Sequence, residues 1–220
     1  MRFLIVIPTL NEHRNIGIIY KKIVNLYKKA NILFIDDNSD DGSKKEILDL
    51  RKKDKKVNYI FRKKKLGIGS AHKLGIKTAR NNNYQFVCTM DCDGTHNPKN
   101  IKTMFGYIKK YNMVMTTRFK KKNSLKGWPL IRIIITKMRY YLVSLILGTK
   151  LDSSGGFRLY DLKKIKVKDI FLAKDNNYNF LWESAFILEL KKYKIAEISI
   201  ILPNRTPVSY THLTLPTKRI

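Results

Sequence analysis

The sequence predicts an α/β fold built on a doubly wound, mainly parallel sheet, with an amphipathic helical element toward the C-terminus. Three observations predict it: continuous apolar runs of strand length, helical periodicity between them, and polar, turn-forming residues directly after each run. Strands covered by helices on both faces lose the alternation of a half-exposed sheet, so an unbroken aliphatic run reads as a buried parallel strand.

Phe3 to Ile7 is the first such run, Ile32 to Ile35 the second and Gln85 to Met90 a later one. Between the first two, Ile16, Ile19, Tyr20, Ile23, Val24 and Tyr27 recur at helical spacing within Asn15 to Lys29, which makes a β-α-β unit. Asp41-Gly42-Ser43 opens a second helix through Leu50, Val57 to Phe61 reads as a short strand, and Ser70 to Arg80 as a third helix. Alternation through residue 118 implies a sheet whose ligands lie at the carboxyl ends of its strands. From Trp128 to Leu147 the pattern becomes a long, nearly apolar helix with Arg132, Lys137 and Arg139 in its middle. Cations there are costly in hydrocarbon, so a helix lying on a bilayer surface is expected; a core helix is the alternative.

The chain has 220 residues, enough for one domain to bury a core without disulfides or metal staples. Its 44% hydrophobic and 11% aromatic content excludes a disordered chain. With 45 Lys+Arg against 17 Asp+Glu, the net charge of +28 attracts polyanions such as anionic lipid and nucleotide phosphates, although the codon bias of an AT-rich genome would also supply lysines. The runs at Lys52-Lys53, Lys63 to Lys65 and Lys120 to Lys122 are short, scattered and not interleaved with aromatic residues, so no nucleic-acid partner is expected. Cys88 and Cys92 complete no zinc set and read as free thiols of a reducing compartment. The first apolar run is too short for a signal peptide, and a cytoplasmic location is expected.

The chemistry sits at the strand ends. Pro8-Thr9-Leu10-Asn11-Glu12 follows the first strand and can offer backbone amides and a carboxylate to a nucleoside. After the second, Asp36, Asp37, Asp40 and Asp41 place four of the 17 acids within six positions. Asp40 and Asp41 suit turn and N-cap chemistry, and Asp37 is the candidate for base or ribose contacts. After the third apolar run, Met90-Asp91-Cys92-Asp93-Gly94-Thr95-His96-Asn97-Pro98 puts two hard oxygen ligands where a divalent cation can bridge them to a diphosphate. His96 reads as a solvated or turn-stabilising residue. Arg62, Lys65 and the Gly67-Ile68-Gly69-Ser70 turn have the look of a phosphate nest. Asp152-Ser153-Ser154-Gly155-Gly156-Phe157-Arg158 reads as a phosphate-approaching loop, or as a turn closed by an Asp152–Arg158 ion pair.

In order and spacing these motifs, with Thr117-Arg118-Phe119 and the run Asn177 to Glu183, resemble the inverting GT-A glycosyltransferases of family two, most closely the dolichyl-phosphate mannosyltransferase group, over residues 3 to 205. The resemblance implies a nucleotide-sugar donor, GDP-mannose ahead of UDP-glucose or UDP-N-acetylglucosamine, and a polyprenyl phosphate acceptor. It implies Pro8, Leu10, Glu12, Ile35 and Asp37 around base and ribose, and Asp91, Cys92 and Asp93 at the diphosphate. It further implies Mg²⁺ or Mn²⁺ at Asp91, Asp93 and Thr95, Arg118 near the phosphates, and Arg132 and Arg205 on phosphate oxygens, so that Asp93, Arg132 and Arg205 form the catalytic set. Leu10 stands where the family usually has tyrosine, which removes an aromatic stack on the base.

Residues 206–220 depart from the family pattern and have the look of translated sequencing-adaptor read-through, which would put the natural C-terminus, and any membrane hairpin after it, outside this sequence. The domain reading is therefore 1–205 catalytic and 206–220 an atypical tail. A lipid phosphate is already an anionic nucleophile and needs no strong general base. A sugar hydroxyl would need one, and Glu183, then Asp152, are the carboxylates the pattern offers. Transfer to a glycan hydroxyl is the alternative activity, and behind it stands a basic nucleic-acid-binding α/β protein, which only the net charge favours. The expected setting is cytoplasmic and peripheral, at an anionic membrane surface.

Overall fold

The computed structural model describes residues 2–203 apart from 123 and 126. Arg205 and the 206–220 tail lie outside the described residues. The elements run β1 (Phe3–Thr9), α1 (Asn15–Leu26), β2 (Asn31–Asp36), α2 (Ser43–Lys53), β3 (Val57–Phe61), α3 (Ile68–Asn81), β4 (Phe86–Thr89), α4 (Asn100–Ile108), β5 (Met113–Thr117), α5 (Leu130–Leu147), β6 (Arg158–Asp161), α6 (Val167–Ile170), α7 (Asn179–Leu190) and β7 (Ile195–Ser199).

The strands form one sheet in the order β3-β2-β1-β4-β6-β5-β7. Every neighbouring pair is parallel except those of β6, which runs antiparallel to β4 and β5. Ile5 sits opposite Ile32 on one side and Cys88 on the other. Alternate residues of each strand feed opposite faces, as the pleat requires. Ile5, Ile7, Ile32 and Phe34 pack with Ile16, Ile19, Ile23, Ile47 and Met104, so α1, α2 and α4 cover one face. Leu4, Val6, Leu33 and Ile35 pack with Ala71, Ile76, Ile170, Phe180 and Leu188, so α3, α6 and α7 cover the other. The predicted three-layer α/β arrangement with a mainly parallel sheet is present. Each fully buried isoleucine contributes about 1.5–3 kcal/mol by leaving water, which is why the aliphatic runs dominate the architecture.

The differences from the sequence reading are local. The first helix stops at Leu26 rather than Lys29, because the backbone of Tyr27 turns out of helical geometry while its N–H still bonds Ile23 O. The long helix begins at Leu130, since Pro129 is extended at ψ 140° and leaves Trp128 outside. The strand β6 carries no aliphatic run. Its first residue, Arg158, is fully buried, and its guanidinium is satisfied by Gly155 O at 2.8 Å, Ser153 O at 2.6 Å and Ser184 Oγ at 3.0 Å. A charged residue in the core is tolerated when its donors are met, and that hid the strand from a hydrophobicity pattern.

The α5 helix buries none of its residues. Ile133, Thr136, Tyr140, Val143, Ser144 and Leu147 are half-buried and share one side at helical spacing. The opposite side carries nine large apolar side chains, among them Ile131, Ile135, Leu142 and Leu145, the last 81% exposed. At 3.6 residues per turn, Arg132, Arg139 and Lys137 fall on the borders between the two sides. Packing of the helix as a core element is therefore not what is found. Among the described residues no helix is long and apolar enough to cross a membrane.

Candidate active site

Because β1, β2, β4 and β5 run the same way, their carboxyl ends share one edge, and antiparallel β6 delivers its preceding loop to that edge as well. The strand order turns back between β1 and β4, which opens a crevice there. Two adjoining clefts occupy it.

The first cleft, of about 310 Å³, lies between Pro8 to Glu12 after β1 and Asp91 to Asp93 after β4. Its β1 side is held by the acidic loop after β2. The N–H groups of Asn11, Glu12 and His13 donate to Ser39 Oγ, Ser43 Oγ and Asp41 Oδ2 at 2.8, 2.9 and 2.9 Å. Asp36 is fully buried and accepts from the Thr9 hydroxyl at 3.2 Å. Most of the acidic cluster is thus turn chemistry that shapes the cleft.

Asp37 lines the cleft and accepts the N–H groups of Leu66 and Gly67 at 2.7 and 2.9 Å, with Arg62 Nη2 at 2.9 Å. The turn that resembled a phosphate nest is filled by a carboxylate of the protein itself. Burial works against the Arg62 guanidinium and lowers its pKa, and Asp37 beside it opposes that. Gly67 is required at φ +89°, where a Cβ would stand 2.4 Å from Asn176 O.

On the β4 side, Asp91, Cys92 and Asp93 line the same cleft. Asp93 Oδ1 accepts the Thr95 hydroxyl at 2.6 Å and the Thr95 N–H at 3.1 Å, so Thr95 orients Asp93. His96 is 5% exposed, stacks on Phe157 at 5.0 Å, and its Nδ1 accepts the Asp91 N–H at 2.9 Å. The same nitrogen is 3.6 Å from Asp91 Oδ2. The shorter contact governs: a nitrogen accepting an N–H carries no proton, so this is a turn bond and not an ion pair. His96 is turn-stabilising, as the sequence allows, and buried rather than solvated, because Phe157 covers its ring. Both thiols are pushed up by burial.

The second cleft, of about 380 Å³, is lined by Thr95, Thr116 to Phe119 after β5, the 152–156 loop and the inner side of α5. Arg118, Arg132 and Arg139 all reach it. Arg132 lies 3.8 Å over the Trp128 ring. Arg118 Nε and Nη2 grip Asp152 at 3.1 and 3.2 Å, which replaces the Asp152–Arg158 pair expected from sequence. That expectation failed because Arg158 faces the core on β6. Glu183 does not enter the cleft; its carboxylate accepts the N–H groups of Lys174 and Asp175 at 2.9 and 3.2 Å.

Of the candidate residues, Pro8, Leu10, Glu12, Asp37, Asp91, Cys92 and Asp93 line the first cleft, while Asp91, Thr95, Arg118 and Arg132 line the second. Ile35 does not join them, since its side chain is wholly buried on the α3 face of the sheet. Trp128, Arg139 and Tyr178 also line the second cleft; Tyr178 lies in the Asn177 to Glu183 run and Trp128 and Arg139 in the long apolar segment, but nothing in the linear pattern assigns these three to the site.

The profile of glycosyl transferase family 2 matches residues 4–167, which spans the sheet from β1 through β6 and most of the residues that line the two clefts. The chain belongs to this family. It is therefore a glycosyltransferase, as the resemblance implied. Among curated relatives it is 24% identical to an undecaprenyl-phosphate mannosyltransferase of Micrococcus luteus over 93% of this chain and 85% of the relative. It is also 24% identical to a polyprenol monophosphomannose synthase of Mycolicibacterium smegmatis over 93% of this chain and 78% of that protein. In fold it is similar to glucosyl-3-phosphoglycerate synthase from Mycobacterium tuberculosis, solved with Mn²⁺, uridine diphosphate and product, at TM-score 0.66 and 14% identity over 93% of this chain and 71% of that one. The S. aureus TarS 1-349 structure with UDP-GlcNAc aligns at TM-score 0.57 and 17% identity, covering 94% and 59% of the two chains. These solved neighbours share the fold of this chain.

Proposed function

We propose that this family 2 glycosyltransferase moves a hexose, mannose foremost, from a nucleotide sugar, GDP-mannose foremost, to a polyprenyl phosphate at an anionic membrane surface. The observation that carries the reading is the second cleft. It is lined by three arginines and bounded by α5, whose outer side is exposed and apolar. A lipid phosphate has two needs, cations for its head and an apolar surface beside them for its chain, and both meet at one helix. The names of the curated relatives support the acceptor class.

In this reading the first cleft takes the nucleoside diphosphate. Asp91 and Asp93 are hard oxygen donors, and no cluster of three or more His, Cys, Asp or Glu side chains that could hold a metal exists among the described residues. Asp91 and Asp93, set side by side on the cleft wall, would hold Mg²⁺ or Mn²⁺, hard cations that take oxygen ligands. When bound, the ion would neutralise charge on the leaving diphosphate. Arg132 orients the acceptor phosphate beside Asp91, where a guanidinium fork serves two phosphate oxygens at once, and Arg118, whose Nε and Nη2 hold Asp152, adds positive charge to the cleft wall. An acceptor phosphate oxygen forms the new bond to the anomeric carbon as the bond to the diphosphate oxygen breaks, with inversion. Arg205 is kept from the resemblance as a further phosphate contact. The exposed apolar side of α5 and the cations on its borders support a peripheral setting at an anionic membrane surface.

Transfer to a glycan hydroxyl would need a carboxylate base. Glu183 is committed to backbone amides outside the cleft and Asp152 is clamped by Arg118, which weighs against that activity. The test is a transfer assay with GDP-mannose, UDP-glucose and UDP-N-acetylglucosamine, with and without polyprenyl phosphate and Mn²⁺ or Mg²⁺. Lipid-linked product from one donor supports the reading. Product only on soluble glycans overturns it.

A further inference from the structure

Three residues line both clefts: Ile68, Asp91 and Tyr178. Resting on the reading above, the anomeric carbon is bonded to a diphosphate in the first cleft and attacked by an oxygen in the second, so the transferred sugar has to lie at the wall they share. Asp91 is the acidic side of that junction. Ile68 and Tyr178 are its apolar sides.

The local sequence explains how two distant segments meet there. Ile68 stands between Gly67 and Gly69, and a Cβ on either would come within 2.4 and 2.6 Å of the backbone oxygens of Asn176 and Asn177. With hydrogen at both positions, the chain before Tyr178 presses onto the start of α3, and Ser70 N–H donates to Asn176 O at 3.0 Å. The seat is completed by Phe180 N–H to Asn177 O at 3.3 Å and by the wholly buried Phe180 ring. Tyr178 itself is 64% exposed. A firmly seated backbone thus carries a ring that points away from the core, and little ordering is left to do when a ligand meets it.

We infer that Ile68 and Tyr178 form the hexose subsite and that Tyr178 is a specificity-determining residue, its ring lying against the C–H face of the transferred pyranose. A pyranose has an apolar C–H face and a hydroxyl rim, and the negative face of an aromatic ring complements the first. The ring's body, not its hydroxyl, is the working part.

The test separates the sugar from its nucleotide. Full-length protein and its Tyr178→Ala, Tyr178→Phe and Ile68→Ala variants are compared for inhibition by free GDP and UDP and for kcat/KM with GDP-mannose, UDP-glucose and UDP-N-acetylglucosamine. Tyr178→Ala is expected to lower kcat/KM for the preferred donor by roughly tenfold or more while free nucleotide affinity holds within about twofold. Tyr178→Phe should keep most of the activity, and Ile68→Ala should change the ranking of the sugars. Tyr178 is exposed, so its truncation should leave the fold intact, and a thermal melt of each variant checks this. Equal losses for free nucleotide and nucleotide sugar, or no loss in Tyr178→Ala, overturn the inference while leaving the transferase reading standing. A wild-type protein that turns over no nucleotide sugar overturns both.

Discussion

Arg118 closes on Asp152 through two guanidinium nitrogens at 3.1 and 3.2 Å, and its own backbone N–H adds a third bond to the same carboxylate at 3.0 Å. Asp152 is 3% exposed, so it is a buried charge with one principal cation, and the pair ties the end of β5 to the loop entering β6. Asp152→Ala leaves the partly buried Arg118 guanidinium without this ion pair. Such a break costs about 3–5 kcal/mol. Urea denaturation should show a loss of that size, and a change under about 1 kcal/mol would reject the pair as a structural tie.

Thr95 acts on Asp93 through the hydroxyl bond at 2.6 Å. Thr95→Val keeps the shape and removes the donor, so it should weaken Mn²⁺-dependent nucleotide binding by about 10–100-fold, the range for lost supporting contacts at metal sites. Asp93→Ala should lose the metal dependence altogether. Titration calorimetry with and without EDTA reads both, and full affinity of Asp93→Ala in EDTA would remove the ion from this site.

His72 is wholly buried on α3, and burial, then Arg158 and His96, hold its pKa down from 6.5 to about 3. Neither ring nitrogen has a hydrogen-bond partner among the described residues. The unfolded chain takes up a proton on this ring as pH falls below 6.5, while the folded chain refuses it until about 3. Its contribution is therefore complete above pH 6.5 and is lost as pH falls toward 3. The slope is at most about 1.4 kcal/mol per pH unit. His72→Leu should flatten the acid limb of a stability–pH curve; parallel curves would show that His72 protonates freely in the folded state.

Leu145 and Ile146 are 81% and 76% exposed on the outer side of α5. Co-sedimentation with anionic vesicles should fall sharply for Leu145→Glu, since burying such a side chain contributes about 1.5–3 kcal/mol. It should also weaken with salt, each near-surface cation adding about 1 kcal/mol. Equal binding to neutral vesicles at low and high salt would contradict the role of the flanking cations.

Arg132 joins that helix to the second cleft and stacks over Trp128. Arg132→Ala should raise the KM for polyprenyl phosphate while the donor KM stays near wild type, a lost charge-assisted contact costing about 1.5–3 kcal/mol. Arg132→Lys should recover only part, because a point charge cannot replace a planar fork. Equal effects on both substrates would exclude a selective acceptor contact.

Much of the fold and of the site is legible in the sequence. The aliphatic runs mark β1, β2 and β4 because strands buried on both faces must be apolar throughout, and the motifs after them mark the working edge because parallel strands leave polar chain at their carboxyl ends. The β6 strand was hidden by buried Arg158, whose partners are carbonyls that no linear pattern displays. The burial of His96 is not legible in the sequence because its cover, Phe157, arrives from the distant loop that enters β6.

By itself, then, the sequence determined the layered α/β fold, the family, and the strand-terminal positions of Asp37, Asp91, Asp93 and Arg118, since each depends on hydrophobic period and on residues adjacent in the chain. Only the tertiary structure decided that Asp152 pairs with Arg118, that Asp37 fills the turn at Gly67, that Ile68 and Tyr178 line both clefts, and that the apolar side of α5 turns outward. Those are contacts between distant segments. Sheet order, the reversed direction of β6 and the close approach allowed by Gly67 and Gly69 set them, and none of these is a property of neighbouring residues.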